Sequence, residues 1–271
     1  MKNKKINILK FFTCLILIYL LQTGITSANN KIENWDVYVK TYESASKEMW
    51  RMRNIDPLKA LEIGRRLLIR MDEHKDESRK AKILNYYGAI LIYLREDNRA
   101  IDTLRKALYF AKKTKDSTEI AYALNNMGSY YKNQSKYVEA TESVLQAKEI
   151  FTRIKNVEGP AYCSIVLGLL YQQEAAYDKA LMYFKESEAL RRKLNDQPGL
   201  AKSYLFIGNT YFEMGKIDNA YSYYKKLLDL LPTVKNYFQD AIVLSALAKL
   251  YLHQNENDKA LFYAEQALRK A

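Results

Sequence analysis

An all-α solenoid of helix-turn-helix repeats is the fold this sequence predicts, and three observations predict it. Alanine recurs at forty-residue intervals without a break, at Ala60, Ala100, Ala140, Ala180, Ala220 and Ala260. Glycine holds a second register at Gly88, Gly128, Gly168 and Gly208, with Ala248 next, and tyrosine a third at Tyr131, Tyr171, Tyr211 and Tyr251. A fixed period between about twenty and fifty residues marks one supersecondary unit copied along an array. Only 4 prolines and 9 glycines punctuate 271 residues, too few for a strand-rich fold, while a hydrophobic content of 48% suffices for a continuous core.

The chain opens with Lys2, Lys4, Lys5 and Lys10, then the apolar run Phe11 to Leu21, then Thr26-Ser-Ala28. That order of charge, apolar core and small residues is a bacterial-type signal peptide over residues 1–28, cut after Ala28, and it predicts an exported, periplasmic or extracytoplasmic protein. Cys14 lies inside the apolar run, which argues against a lipoprotein, and cleavage leaves Cys163 alone, so no intrachain disulfide is expected. The first helix carries Trp35, Tyr38, Tyr42, Ala45, Met49 and Met52 at alternating spacings of three and four, opposite Lys40, Glu43 and Lys47. Such an amphipathic helix suits the cap of an array.

The mature region, 29–271, then divides into about six repeats: a degenerate capping copy over 29–80, followed by 81–120, 121–160, 161–200, 201–240 and 241–271. Within one repeat, Ala161 to Gln173 reads as a first helix, Glu174 to Tyr177 as a turn and Asp178 to Lys193 as a second helix, with Asn156 to Pro160 and Asn195 to Gly199 as loops between repeats. A glycine in a helix interior costs about 1 kcal/mol against alanine, so the glycine register must serve a close approach of the two helices. The expected approach is between that glycine and the alanine twelve residues on, with the tyrosine filling the gap beside it. The last helix, Asn257 to Ala271, is apolar around much of its circumference, through Leu261, Phe262, Tyr263, Ala264, Ala267 and Leu268. An edge of this kind predicts a covering helix, a partner or self-association.

The pattern Leu124, Met127-Gly128, Tyr131, Ala140, Val144, Ala147 resembles the tetratricopeptide repeat, and the copies at Leu167-Gly168, Tyr171, Ala180, Phe184 and at Ile207-Gly208, Tyr211, Ala220, Tyr224 repeat it. Leu247-Ala248, Tyr251, Ala260 and Ala267 follow, and Pro232 stands where that family often ends a helix. The period of forty exceeds the family's common thirty-four. The resemblance implies a right-handed superhelical solenoid whose first helices line a concave groove. It places partner-binding side chains at Lys82, Asn85, Tyr86, Tyr122, Asn125, Asn126, Ser129, Tyr162, Lys202, Asn209 and Lys249. The carboxylate clamp of chaperone-binding members is not reproduced, because Ile165, Leu205 and Phe206 occupy its positions.

Charge and composition exclude several classes. Of 43 basic residues, the four leader lysines are lost on cleavage, leaving 39 against 31 acidic, a net of +8 for the mature chain. The basic runs at Lys112-Lys113, at Arg153 with Lys155, and at Arg191-Arg192-Lys193 fall at ends of second helices, where cations complement the helix dipole. Asp56, Asp76-Glu77-Ser78 and Asp97-Asn98 read as helix starts. No basic stripe with a nucleic-acid motif is present, so no nucleic acid is expected. His74 and His253 are the only histidines and stand far apart, which leaves a metal or histidine-based catalytic site little to build on. Gly215-Lys216 lacks the rest of a phosphate loop, and carboxylates such as Glu186 and Glu188 read as solvated.

The function these features predict is a non-catalytic scaffold outside the cytoplasm that binds a protein or peptide in its groove, without cofactor, metal or membrane insertion after cleavage. An alternative is the extracytoplasmic sensor portion of a membrane-bound transcriptional regulator or kinase. An enzyme is the third class, and no catalytic constellation in the sequence favours it.

Overall fold

The structure is a computed structural model that describes residues 37–234 and 237–270; the leader, its cleavage point and Trp35 lie outside them. The chain divides into two compact units, Met1–Glu48 and Met49–Ala271. Among the described residues there are helices and no strands. Helix α1 covers 37–52 and is followed by α2 (Pro57–Glu73), α3 (Lys80–Tyr93), α4 (Asp97–Lys113), α5 (Ser117–Asn133) and α6 (Tyr137–Arg153). Then come α7 (Gly159–Gln173), α8 (Tyr177–Lys193), α9 (Gln197–Glu213), α10 (Ile217–Val234), α11 (Tyr237–His253) and α12 (Asn257–Lys270). Odd-numbered helices are the first of each hairpin and even-numbered ones the second. Along α1, Tyr38, Tyr42, Met49 and Met52 are buried while Lys40, Glu43 and Lys47 are exposed, as the amphipathic stripe predicts.

The backbone repeats at half the period of the side chains. Residues with positive φ occur at Lys75, Arg95, Lys115, Ser135, Lys155, Ala175, Asn195, Gly215 and Asn255, each twenty residues or a multiple of twenty from the last. At each, the amide of the next residue returns to a carbonyl five residues earlier, as in Glu96 to Leu91, Asp116 to Ala111 and Ala176 to Tyr171. This is the Schellman turn, which satisfies carbonyls that a helix end leaves without partners. One turn therefore serves both within hairpins and between them. Helix starts are less uniform: Asp116, Asn156 and Asp196, on a forty-residue register of their own, accept hydrogen bonds from the amides of Glu119 (3.0 Å), Gly159 (2.7 Å) and Gly199 (3.0 Å). Asp56 caps α2 through the amide of Lys59 at 2.9 Å.

Three helix boundaries and one contact differ from the sequence reading. Gly159-Pro160 and Gln197-Pro198-Gly199 are first-turn helix residues, because proline at the first helical positions sacrifices an amide that has no intrahelical partner. Helix α10 runs two residues past Pro232 to Val234. The glycine register meets the residue sixteen positions on. A Cβ at Gly88 would overlap Leu104, at Gly128 Val144, at Gly168 Phe184 and at Gly208 Tyr224. Large side chains of the second helix thus lie on the bare backbone of the first. Gly128 also meets the expected alanine, through the carbonyl of Ala140. The first hairpin inverts the arrangement: Gly64 is on the second helix and its missing Cβ leaves room for Met49 and Tyr87. The alanine register is fully buried from Ala60 to Ala220. Register tyrosines pair with a tyrosine twelve residues on: Tyr171 stacks on Tyr183, Tyr211 lies beside Tyr223, and Tyr251 stacks on Tyr263.

Contacts between hairpins set the curvature of the Met49–Ala271 unit. First helices touch the next first helix, α3 on α5, α5 on α7 and α9 on α11, whereas no pair of successive second helices makes comparable contact among the described residues. The first helices are therefore crowded onto the inside of the solenoid.

The glycine contact predicts that Gly168→Ala destabilises the protein by about 1–3 kcal/mol in chemical denaturation, despite alanine's better helix propensity. The Phe184 ring is fully buried and stacked on Phe206, so it cannot yield. Adding Phe184→Leu should recover part of the loss. The turn predicts opposite signs at two equivalent sites. Ala175→Gly should stabilise by up to about 1 kcal/mol by relieving left-handed strain. Gly215→Ala should cost about 1 kcal/mol although no atom would touch the added methyl.

Candidate binding site on the inner face

The inner face is built from the beginnings of the first helices, and the forty-residue register brings its side chains into rows. Lys82, Tyr122, Tyr162 and Lys202 share one row, and Tyr86 and Asn126 share the next. Trp50 stacks on Tyr86 with ring centroids 4.4 Å apart, and the Arg53 guanidinium lies 3.7 Å over the Trp50 ring while donating to the Trp50 carbonyl. Tyr122 meets Tyr162 edge to face at 6.2 Å and Phe151 at 4.9 Å. Lys82 Nζ stands 5.9 Å from the Tyr86 ring. Burial pushes the Tyr86 hydroxyl up to about 12 and moves Tyr122 the same way, with Glu119 and Glu158 adding to both shifts.

Two charged side chains are buried here. Arg191 follows Met71, Ala111 and Phe151 and precedes Leu231, all buried, and is itself only 3% exposed. Its guanidinium lies 4.0 Å over the Tyr162 ring and forms an ion pair with Asp196, and its Nε is buried without a partner. Gly199 supplies the room, since a Cβ there would overlap Arg191 and Asp196. Arg191 lies in the last turn of α8, as the sequence predicts, but its side chain is buried against the starts of α7 and α9. Glu119 holds the position that is Gly159 and Gly199 in the following repeats and is 8% exposed. Asn85 Nδ2 donates to its Oε2 at 2.8 Å and to its carbonyl at 3.0 Å. Burial, assisted by Asp116, raises the Glu119 pKa against the pull of Asn85 and Lys82.

Lys202 is exposed, yet the surrounding protein desolvates its ammonium and, with repulsion from Arg53 and Arg191, brings it down to about 8, Asp196 opposing. Burial lowers the Arg53 pKa, with Tyr162, Tyr86 and Asp196 opposing and Arg191 adding to the shift. Lys82, Tyr86, Tyr122, Tyr162 and Lys202 thus form one group, to which Trp50, Arg53, Arg191 and Asp196 belong although sequence reasoning did not select them. The departure of Arg191 from its apolar register was the signal that could have found it.

The remaining predicted positions are placed differently. Asn85 and Asn125 are buried, at 2% and 5% exposure. Asn126 Nδ2 donates to the Asn85 carbonyl at 3.2 Å, joining neighbouring repeats, and Ser129 Oγ donates to the Asn125 carbonyl. Asn209 accepts from the Tyr224 hydroxyl at 2.8 Å. Asn209 and Lys249 line a separate cavity of about 740 Å³ with Phe212, Ala248, Ala264 and Leu268. There the glycine-and-large pairing has become Ala248 with Ala264, two small residues. Glu186 and Glu188 are ion-paired with Lys148 and Arg192 instead of simply solvated. Cys163 is buried, and burial holds its thiol up at about 12.

The family profile of the tetratricopeptide repeat matches residues 119–193 and 199–271, more than half of the chain. The chain belongs to the tetratricopeptide-repeat family. Its repeats share their fold with BtubC (BKLC) from P. vanneervenii, at 16% identity and a TM-score of 0.61 over 82% of this chain and 90% of that one. Aspartyl phosphate phosphatase F from Bacillus subtilis is similar at 16% identity and a TM-score of 0.59, over 83% and 68%. A Rap conjugation gene regulator of plasmid pLS20, solved with the Phr* peptide, is similar at 16% identity and a TM-score of 0.59, over 71% and 54%. No curated protein sequence matches. At such identities these likenesses concern the tetratricopeptide fold alone.

Burial of Glu119 yields a signed prediction. Its folded pKa lies above the unfolded value, so it contributes stability below the unfolded pKa that is lost as pH rises through the folded one. Glu119→Gln should therefore raise the urea midpoint at pH 7, and the advantage should shrink toward zero as pH falls to the ordinary glutamate range.

Proposed function

We propose that this protein is a non-catalytic scaffold that binds an extended protein or peptide segment along its inner face, outside the cytoplasm. The observation that carries the reading is a group of half-buried tyrosines on crowded first helices, Tyr122 and Tyr162 in the row between Lys82 and Lys202 and Tyr86 in the row beside it. Tyrosine offers large area with a polar tip at small entropic cost, and such residues anchor interfaces. The pLS20 regulator of similar fold, solved with a peptide, supports a peptide-sized occupant. Two of the carboxylates at this group are engaged in structure, Glu119 with Asn85 and Asp196 with Arg191, which favours recognition over acid–base chemistry. The export reading rests on residues 1–28; among the described residues no helix is long and apolar enough to cross a membrane.

Capture from an exported fraction by the purified protein tests this reading. Tyr86→Ala with Tyr122→Ala should weaken capture at least tenfold with helicity retained, whereas exposed outer-face substitutions such as Tyr109→Ala should not. Equal capture by all forms would move the site elsewhere. Protein recovered from the host should begin at Asn29; recovery with the leader intact in the cytoplasm would overturn the location.

A second surface is proposed for self-association. Leu261, Phe262 and Leu268 on α12 are exposed, Leu268 at 81%, beside the cavity lined by Ala264 and Ala267. A second copy covering this edge would remove that apolar area from water. Sedimentation should show an associating species that Leu261→Glu with Leu268→Glu converts to a monomer. An unmodified protein that stays monomeric at high concentration would contradict it.

A further inference from the structure

The last hairpin loses bulk at three positions that meet in one cavity. Ala246, Ala264 and Ala267 stand where the preceding repeat has Phe206, Tyr224 and Leu227, and all three line the cavity of about 740 Å³. In each of the four earlier hairpins the residue equivalent to Ala264, whether Leu104, Val144, Phe184 or Tyr224, is buried over its glycine. Ala248 and Ala264 are instead both half-buried, so the chain itself leaves that space unfilled and reachable from solvent. A terminal repeat that met only water here would carry polar side chains, as capping repeats do, whereas alanine keeps the wall apolar. Unfilled apolar space costs stability, and pockets of about 300–1,000 Å³ with apolar walls and a few polar groups are the kind that small molecules occupy.

The polar groups in the wall define the chemistry of the occupant. Asn209 Oδ1 accepts from the Tyr224 hydroxyl at 2.8 Å, which leaves its Nδ2 to donate, and Gln172 makes no side-chain hydrogen bond among the described residues. The Ser245 hydroxyl is engaged with the Ala241 carbonyl at 2.8 Å. Glu213 and Lys249, one of each sign, are exposed at the cavity, and neither is ion-paired among the described residues. An ionic ligand would be attracted by one and repelled by the other, so the lining prefers neither sign. We propose that this cavity binds an uncharged apolar molecule carrying a hydrogen-bond-accepting oxygen, such as a ketone or an ester. Its apolar body lies against Ala246, Ala264 and Ala267, where it leaves water, and its oxygen accepts from the Asn209 and Gln172 amides. The site is independent of the tyrosine group and of the peptide reading, because its walls come from α9, α11 and α12, with Gln172 from α7 and Tyr224 from α10.

The test titrates the purified protein with N-phenyl-1-naphthylamine, an uncharged dye that fluoresces in apolar surroundings, and then displaces the dye with 2-decanone, decanoate or decylammonium. The dye should saturate at one per chain, and the ketone should displace it at a concentration at least tenfold below that of either ion. Ala248→Gly with Ala264→Phe recreates the pairing of Gly168 with Phe184; it should raise the urea midpoint by filling the cavity and weaken the dye at least tenfold. Ala267→Leu, a smaller filling that copies Leu227, should weaken the dye by a lesser factor. Gln172→Leu should weaken 2-decanone at least threefold and leave the dye unchanged, and Tyr86→Ala with Tyr122→Ala should alter neither. Absence of saturable dye binding, or binding that both filling variants retain in full, would overturn the site. Displacement by either ion as effective as by the ketone would overturn the ligand class. Dye binding per chain that falls as protein concentration rises, in step with association seen by sedimentation, would assign the cavity to a second copy and overturn the proposal.

Discussion

Contact between a glycine on one helix and a bulky side chain sixteen residues later sets the geometry on which the array depends. Leu104, Val144, Phe184 and Tyr224 differ in size and shape, yet each lies over a glycine at the same place in its hairpin. Helix propensity opposes these glycines, and the close packing they permit outweighs it. With helix length held nearly constant by a Schellman turn every twenty residues, each hairpin presents the start of its first helix at the same height. That equality turns register positions into rows on the inner face. The ends of the array relax the rule: Gly64 accepts Met49 from the opposite helix, and Ala248 beside Ala264 leaves a cavity where neither residue fills the space.

Much of the fold was legible because its determinants are residue types that only one environment tolerates. Buried alanine and helix-interior glycine recur because larger side chains do not fit, so the period and the hairpin could be read directly. The twenty-residue turn was not legible. Its positive-φ position holds lysine, arginine, serine, alanine and asparagine, since the demand there is on the backbone and costs little enough for many side chains to meet it. The Asp116, Asn156, Asp196 register was visible as spacing, but capping is recognised only once a helix start is known.

The candidate site was half legible for a similar reason. Row positions such as Lys82, Tyr122, Tyr162 and Lys202 follow from the period. Whether an amide faces a groove or a neighbouring repeat does not: Asn85 and Asn125 turned inward, where they join or lie beside the polar contacts between repeats. Arg53, Trp50 and Arg191 come from a turn, a helix end and a second helix, places that no repeat position marks as inner-face. Curvature brings them together, and curvature is a property of the stacked array. Stability in such an array is roughly a sum over repeats and their interfaces, so the cost of a buried arginine and a buried glutamate in two repeats can be borne by the apolar packing of the rest.

Amide hydrogen exchange of the protein, free and saturated with the tightest peptide selected from a random dodecapeptide library, tests the inner-face assignment most directly. The account predicts added protection concentrated at the starts of α3, α5, α7 and α9, with the second helices unchanged. Protection confined to α4, α6 and α8, with those starts unaffected, would contradict it.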